Sequence, residues 1–191
     1  MWWLGLCPNH HIYSSLLRAW GFFITLLQAE PKRGAAHGVQ KAPALVVPAQ
    51  ADDGRWEDYG VVFYGIPPGY ECTSPITSLL LVSSSDSGLS AESRETMASL
   101  KKDIDVQVFV TPTCPYCPRA VTLAHPMAIE SPRVRAAMVE VTEFPEESMK
   151  HGISGVPHSV INHQVRVVGA VPAAHLLEEI QRAAHQFPLA G

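Results

Sequence analysis

One order of features occurs twice in this chain, and it restricts the fold more than composition does. In the second half, Gly155-Val156-Pro157 leads into an apolar run at residues 159–161, and a turn at Asn162-His163 is followed by residues 165–168, Gly169 and Pro172. In the first half, Lys41-Ala42-Pro43 leads into Ala44-Leu45-Val46-Val47, and a polar loop over residues 50–59 is followed by residues 61–64, Gly65 and Pro67-Pro68. Each copy reads proline, strand, turn, strand, glycine, proline, helix. Two β-rich runs joined by a turn make a hairpin, and the helix that follows covers one face of it.

The final helix is the more regular of the two. Pro172 suits a first helical position, where its missing N–H would be unbonded anyway. Leu176, Leu177, Ile180, Ala183, Ala184 and Phe187 fall on one face, with Glu178, Glu179 and Arg182 elsewhere. In the counterpart after Pro68, Pro75 is expected to interrupt the helix. Between the copies, Ser-rich residues 83–90 read as a linker. Ser90 is an expected N-cap for a connecting helix with Glu92 and Glu95 early and Lys101 and Lys102 late.

Only the second copy has a front half. Residues 106–110 are β-rich, as a central strand requires, and they run into Thr111-Pro112-Thr113-Cys114-Pro115-Tyr116-Cys117, from which a helix is expected to start. Residues 135–141 read as a further strand and 145–150 as a short helix. Cys114 lies 43 residues before Pro157, and the same interval before Pro43 falls off the start of the chain. The first copy is therefore expected to be incomplete.

The Cys114-x-x-Cys117 spacing carries the chemistry. A thiol attacks as its thiolate, and unsatisfied N–H groups at a helix start favour that form. One turn separates the two sulfurs, close enough to form a disulfide. Cys114 is expected to attack a substrate disulfide and Cys117 to resolve the mixed disulfide. A Cys-x-x-Cys is also half of a zinc site, but no compact second pair follows among the nine histidines. No metal ion and no organic cofactor are expected. Val156-Pro157, just before a strand, is expected to hold a cis peptide and to present Val156 backbone to an extended substrate. Arg119, His158, Glu140 and Glu143 are weaker candidates for a place near the sulfurs, and Pro126 is expected to kink the active-site helix.

Charge and cysteine usage exclude some classes. The net charge of −4 supplies no basic stripe for nucleic acid. Four cysteines are too few for a disulfide scaffold, and Cys7 and Cys72 read as incidental thiols. Residues 19–27 (AWGFFITLL) are too short an apolar run to span a bilayer. With Ile12, Leu16, Leu17, Trp20, Phe23, Ile24 and Leu27 at three- and four-residue spacing, they read as one face of a helix. The same run also has the character of a secretory signal core, with a poorly charged leader. A cytoplasmic location is expected, with export left open by that run.

Val108-Phe109-Val110-Thr111-Pro112-Thr113-Cys114-Pro115-Tyr116-Cys117-Pro118, with Ala120-Val121, Ala124-His125 and Ala128-Ile129-Glu130, resembles the C-terminal unit of the protein disulfide oxidoreductases. These are glutaredoxin-like proteins with two thioredoxin folds in tandem. Phe63-Tyr64-Gly65-Ile66-Pro67 and Gly69-Tyr70-Glu71 resemble the end of that family's first unit. The resemblance implies dithiol–disulfide exchange on protein substrates, with Pro115, Tyr116, Val156 and Pro157 lining the site and an upstream thiol reductase as electron source. It departs in lacking the family's second Cys-x-x-Cys; Cys7-Pro8-Asn9-His10 is at most a relic. Thr111 stands where a glutathione-dependent glutaredoxin carries lysine, and Val168-Gly169-Ala170-Val171-Pro172 replaces the glutathione-gripping pattern. That enzyme is the alternative reading, beside a thioredoxin-like binding module with little turnover.

The expected architecture is α/β and thioredoxin-like, one complete unit plus one partial unit. Residues 1–37 form an N-terminal helical segment outside any complete unit, 38–82 a partial unit, 83–103 a linker with its helix, and 104–187 the complete redox unit. Unpaired edges in the first unit would invite self-association. A fragment beginning near Ser90 is expected to retain activity, since Cys114, Cys117 and Pro157 all lie beyond it.

Overall fold

The computed structural model describes residues 25–26, 37–39, 41–50, 54–67 and 69–189. In chain order the elements are β1 (Thr25–Leu26), β2 (Ala44–Val46), β3 (Ala49–Gln50), β4 (Trp56–Glu57), β5 (Val61–Tyr64), a 3-10 helix (Gly69–Cys72), α1 (Thr73–Ser84), α2 (Ala91–Ala98), β6 (Ile104–Val110), α3 (Cys117–Glu130), β7 (Val134–Glu140), α4 (Pro145–Lys150), β8 (His158–Ile161), β9 (Val165–Val168) and α5 (Ala173–Gln186). Both copies of the repeat form, and their strands join one seven-stranded sheet in the order β1-β2-β5-β7-β6-β8-β9, while β3 and β4 make a separate small ribbon.

The second copy sets the frame. β6 and β7 run parallel, β8 returns antiparallel to β6, and β9 closes the hairpin on β8. Strand side chains alternate between faces. Val106, Val108 and Val110 of β6 and Val134, Ala136 and Met138 of β7 enter the larger core, with Val121, Ala124 and Met127 of α3 and Leu176 and Ile180 of α5. Phe109, Val139 and Val160 face the other way and pack against Phe144 and Ile153, which flank α4.

The two copies meet at β5 and β7, which pair in parallel from Val61↔Ala136 to Tyr64↔Val139. This contact hides what would be the open edge of β7. α1 packs on α3, and there Ser78 Oγ and His125 Nδ1 share a buried hydrogen bond of 2.7 Å. Phe63 meets the His125 ring edge-on at 4.8 Å. Beyond the end of β5, the Ile66 N–H donates to Glu143 Oε1 at 2.9 Å.

Three expectations need correction. Thr25 and Leu26, assigned to a helix on spacing, form a strand antiparallel to β2 (Thr25↔Val46, Leu26↔Leu45). Backbone pairing to an existing strand outweighs a weak helical pattern there, and the edge that motivated self-association is occupied over those residues. The rest of the apolar run at 19–27, and Cys7 to His10, lie outside the described residues. Pro75 does not break α1, because it is the third residue of a helix whose first N–H groups have no intrahelical acceptor. α2 begins where expected, with Ser90 Oγ accepting the Ser93 N–H at 3.2 Å, but it ends at Ala98, before Lys101 and Lys102. Among the described residues, no helix is long and apolar enough to cross a membrane.

Candidate active site

β6 delivers the chain to a loop at the carboxyl end of the sheet, where Cys114 and Cys117 are joined in a disulfide with Cα atoms 5.5 Å apart. Cys114 keeps 8 % of its surface in contact with solvent and Cys117 none, so Cys114 is the more accessible of the two. The Cys117 N–H donates to the Cys114 carbonyl at 3.4 Å, and the Cys114 N–H to that of Thr111 at 3.2 Å. The helix itself starts at Cys117, not at Cys114. Pro115 and Tyr116 form the turn ahead of it, with Pro118 in its first turn. Pro115 and Tyr116 are wound in the turn closed by the Cys117 N–H on the Cys114 carbonyl, and regular helix follows from Cys117. No side chain caps the amino end of α3. Pro126 lies inside α3, which stays helical from Cys117 to Glu130.

Pro157 stands directly before β8, whose His158 pairs with Phe109 of β6, so it lies beside the end of the strand that leads to Cys114. The Val156–Pro157 peptide is cis, as is Ala42–Pro43 at the matching position of the first copy. The Pro157 carbonyl accepts the Gly169 N–H at 2.8 Å, while the Val156 backbone makes no hydrogen bond among the described residues. Val156 is half-buried, and Tyr116 is 67 % exposed.

The weaker candidates divide differently. His158 is buried on the sheet face with Phe109, opposite the core that holds both cysteines, and burial followed by the Arg166 charge holds its pKa below the ordinary histidine value. Arg119 is exposed. Glu140 is committed to its own turn, accepting from the Thr142 N–H, the Thr142 hydroxyl and the Glu143 N–H at 3.1, 2.6 and 2.7 Å. Glu143 holds the Ile66 amide. Both are structural fasteners.

A residue that carried only resemblance is the more telling carboxyl. Glu71 lies in the 3-10 helix, sealed from solvent, with Ser74 Oγ donating to its Oε2 at 2.6 Å and no hydrogen-bond partner for Oε1 among the described residues. Burial pushes its pKa up to about 7 against the weaker pull of the Ser74 hydroxyl. The 3-10 helix packs against α3 and is tied to the active-site loop by the Tyr70 N–H, which donates to the Pro112 carbonyl at 3.3 Å. Gly69 permits this approach. It has φ +58°, and a Cβ there would run into the Pro112 carbonyl oxygen. A sequence signal for Glu71 exists: it is the only charged residue between Asp58 and Asp86.

Comparison with known proteins follows the same division. The family model described as a thioredoxin domain matches residues 104–182. Thioredoxin of Methanocaldococcus jannaschii is 35 % identical over 80 residues, covering 41 % of this chain and 94 % of that protein. The AhpF-type alkyl hydroperoxide reductase of Pseudomonas aeruginosa is 28 % identical over 127 residues, covering 66 % of this chain but only 24 % of that protein's length. Among solved structures, the alkylhydroperoxide reductase AhpF of Enterococcus faecalis superposes with a TM-score of 0.70 at 29 % identity, over 80 % of this chain and 71 % of that one. A protein disulfide oxidoreductase from Aeropyrum pernix shares the fold with a TM-score of 0.75 at 24 % identity, over 96 % of this chain and 83 % of that one.

Proposed function

Because the chain belongs to the thioredoxin family, we propose that it exchanges disulfides with protein substrates through Cys114 and Cys117. The observation that carries this reading is a disulfide closed at the end of β6 in which Cys117 is sealed and Cys114 keeps a small exposed fraction. In the reduced chain, the Cys114 thiolate attacks a substrate disulfide, forming a mixed disulfide and releasing the first substrate sulfur as a thiolate, which takes a proton from water. Cys117 then gives up its proton and attacks Cys114 Sγ. The second substrate sulfur leaves, and the chain returns to the disulfide form with two electrons passed to the substrate. An upstream dithiol reductase must restore the reduced pair.

Residues around the sulfurs support these steps. The free Val156 backbone offers pairing to an extended substrate segment. Glu71 is buried in the 3-10 helix that packs against α3, and burial raises its pKa to about 7. The proposal is tested by insulin reduction with dithiothreitol. The chain should accelerate precipitation of the B chain, and Cys114→Ser should not. A wild-type rate equal to that of dithiothreitol alone would replace the enzyme reading with that of a binding module.

A further inference from the structure

We propose that His151 is a positioning residue for the exchange reaction: its neutral ring seats the loop that ends in Val156, so that acid releases the loop and weakens the hold on polypeptide substrates. This control acts on the exchange reaction proposed above and rests on it. α4 ends at Lys150, and the chain then runs through residues 151–155 to Val156 and Pro157. Ser154 and Gly155 are exposed, and a Cβ on Gly155 would meet nothing within 4 Å. The holds on this loop lie on either side of them. Ile153 and Val156 pack on the small cluster of Phe109, Val139 and Val160. His151, 3 % exposed, lays its ring against Phe109 with centroids 5.6 Å apart, and stacks on His163 at 5.5 Å and 11°. The Phe109 cluster is thus a floor that His151 and Val156 share.

The charges around the His151 ring make its seat sensitive to protons. His151 Nε2 is buried without a hydrogen-bond partner among the described residues, and Glu147 Oε2, at 3.8 Å, is beyond hydrogen-bond reach. That carboxylate is shared with Lys41 at 3.2 Å and Lys150 at 3.9 Å. Arg166 of β9 stands over the loop, with Nη1 3.4 Å from where a Cβ on Gly152 would lie. Burial first, then the His163, Lys150 and Arg166 charges, hold the His151 pKa below the ordinary histidine value, with Glu147 pulling the other way. His158 of β8, also buried with Nε2 unpartnered among the described residues, is pushed down by burial and then by Arg166. A base held neutral by its folded surroundings favours opening once it gains a proton. Below the ordinary value of 6.5 the charged ring is better solvated outside its seat, and this preference grows as the pH falls toward the folded value. A ring that leaves Phe109 and His163 takes one of the loop's holds with it, and the Val156 backbone loses its fixed place.

The test uses the full-length chain. In 15N–1H spectra of the oxidised protein, the Val156 amide should titrate with the same midpoint as the His151 ring. Arg166→Gln should move both midpoints up, since it removes a charge that opposes protonation. Glu147→Gln should move both down and leave that of His158 in place. The functional arm is single-turnover reduction by the pre-reduced chain, with an uncharged disulfide-cyclised peptide and bis(2-hydroxyethyl) disulfide as probes. Titration of the Cys114 thiol enters both rates and cancels in their ratio. From about pH 7.5 to about pH 5, the ratio of peptide to small-disulfide rate constants should fall at least about fivefold in wild type. It should stay level in His151→Phe, whose ring fills the seat but takes no proton. A Val156 amide that ignores the His151 midpoint, or a wild-type ratio that does not change with pH, overturns the proposal. A pre-reduced chain that reduces neither probe removes instead the exchange reading beneath it, while the amide titration still decides whether His151 positions the loop.

Discussion

Replacing Glu71 with glutamine should change how stability depends on pH. The folded chain holds the Glu71 proton up to about pH 7, while an unfolded chain releases it near its ordinary value of 4.5. Between those values the folded state binds more protons, so unfolding free energy falls as pH rises through the window. Each unit of displacement is worth about 1.4 kcal/mol, which makes the whole effect about 3 kcal/mol. Full burial means that solvent screening takes little from it. Glu71→Gln cannot titrate and should lack this fall. His125 acts oppositely in both proteins. Burial lowers its pKa from 6.5 to about 3, so the folded state resists its protonation and stability drops as pH falls through that interval. The informative quantity is thus the difference between variant and wild type. Urea unfolding of the oxidised proteins across about pH 4.5 to 8 should show the variant gaining about 3 kcal/mol on wild type from the acid end to the alkaline end. A difference constant across that range would refute the assignment of a buried, proton-retaining carboxyl.

Other outcomes follow from the same contacts. After reduction, limiting iodoacetamide should label Cys114 before Cys117, read by peptide mass, because Cys117 has no exposed surface; Cys117→Ser should trap a mixed disulfide that Cys114→Ser cannot form. Gly69→Ala should push the 3-10 helix off Pro112, lowering stability in urea unfolding by about 1–3 kcal/mol through strain alone. A fragment beginning near Ser90 loses β5 beside β7 and the Ser78 partner of His125. It should unfold at a lower urea concentration and associate at the bared β7 edge in sedimentation. A monomeric fragment with the full chain's stability would show that the first copy contributes nothing to the second.

Much of the site was legible because its signals are local. Cys-x-x-Cys spacing, the proline before β8, the hairpin turns and the apolar face of α5 each depend on residues a few positions apart, and the structure has them, save that Phe187 lies past the end of α5 and is exposed. Local spacing misled where a distant partner decided the matter. Leu27, Ile24 and Trp20 share a helical period, yet Thr25 and Leu26 pair with Val46 and Leu45, because an open strand edge rewards backbone pairing whatever the side-chain period. Pro75 looked disruptive as an isolated residue type and is harmless at its position in the first turn.

Residue pattern was thus enough for the order of elements in the second copy, the dithiol spacing, and the expectation that Cys114 leads. Three matters were settled only by folding. β5 lies parallel to β7, making one sheet of two copies. Glu140 and Glu143 fasten turns. Glu71, marked in the chain only as the one charge between Asp58 and Asp86, becomes a carboxyl that holds its proton near neutrality. Most of this has one cause. Strand partnership, the Glu143 bond to Ile66 and the desolvation of Glu71 are set by residues brought together from tens of positions away, whereas the Glu140 bonds are local to its own turn.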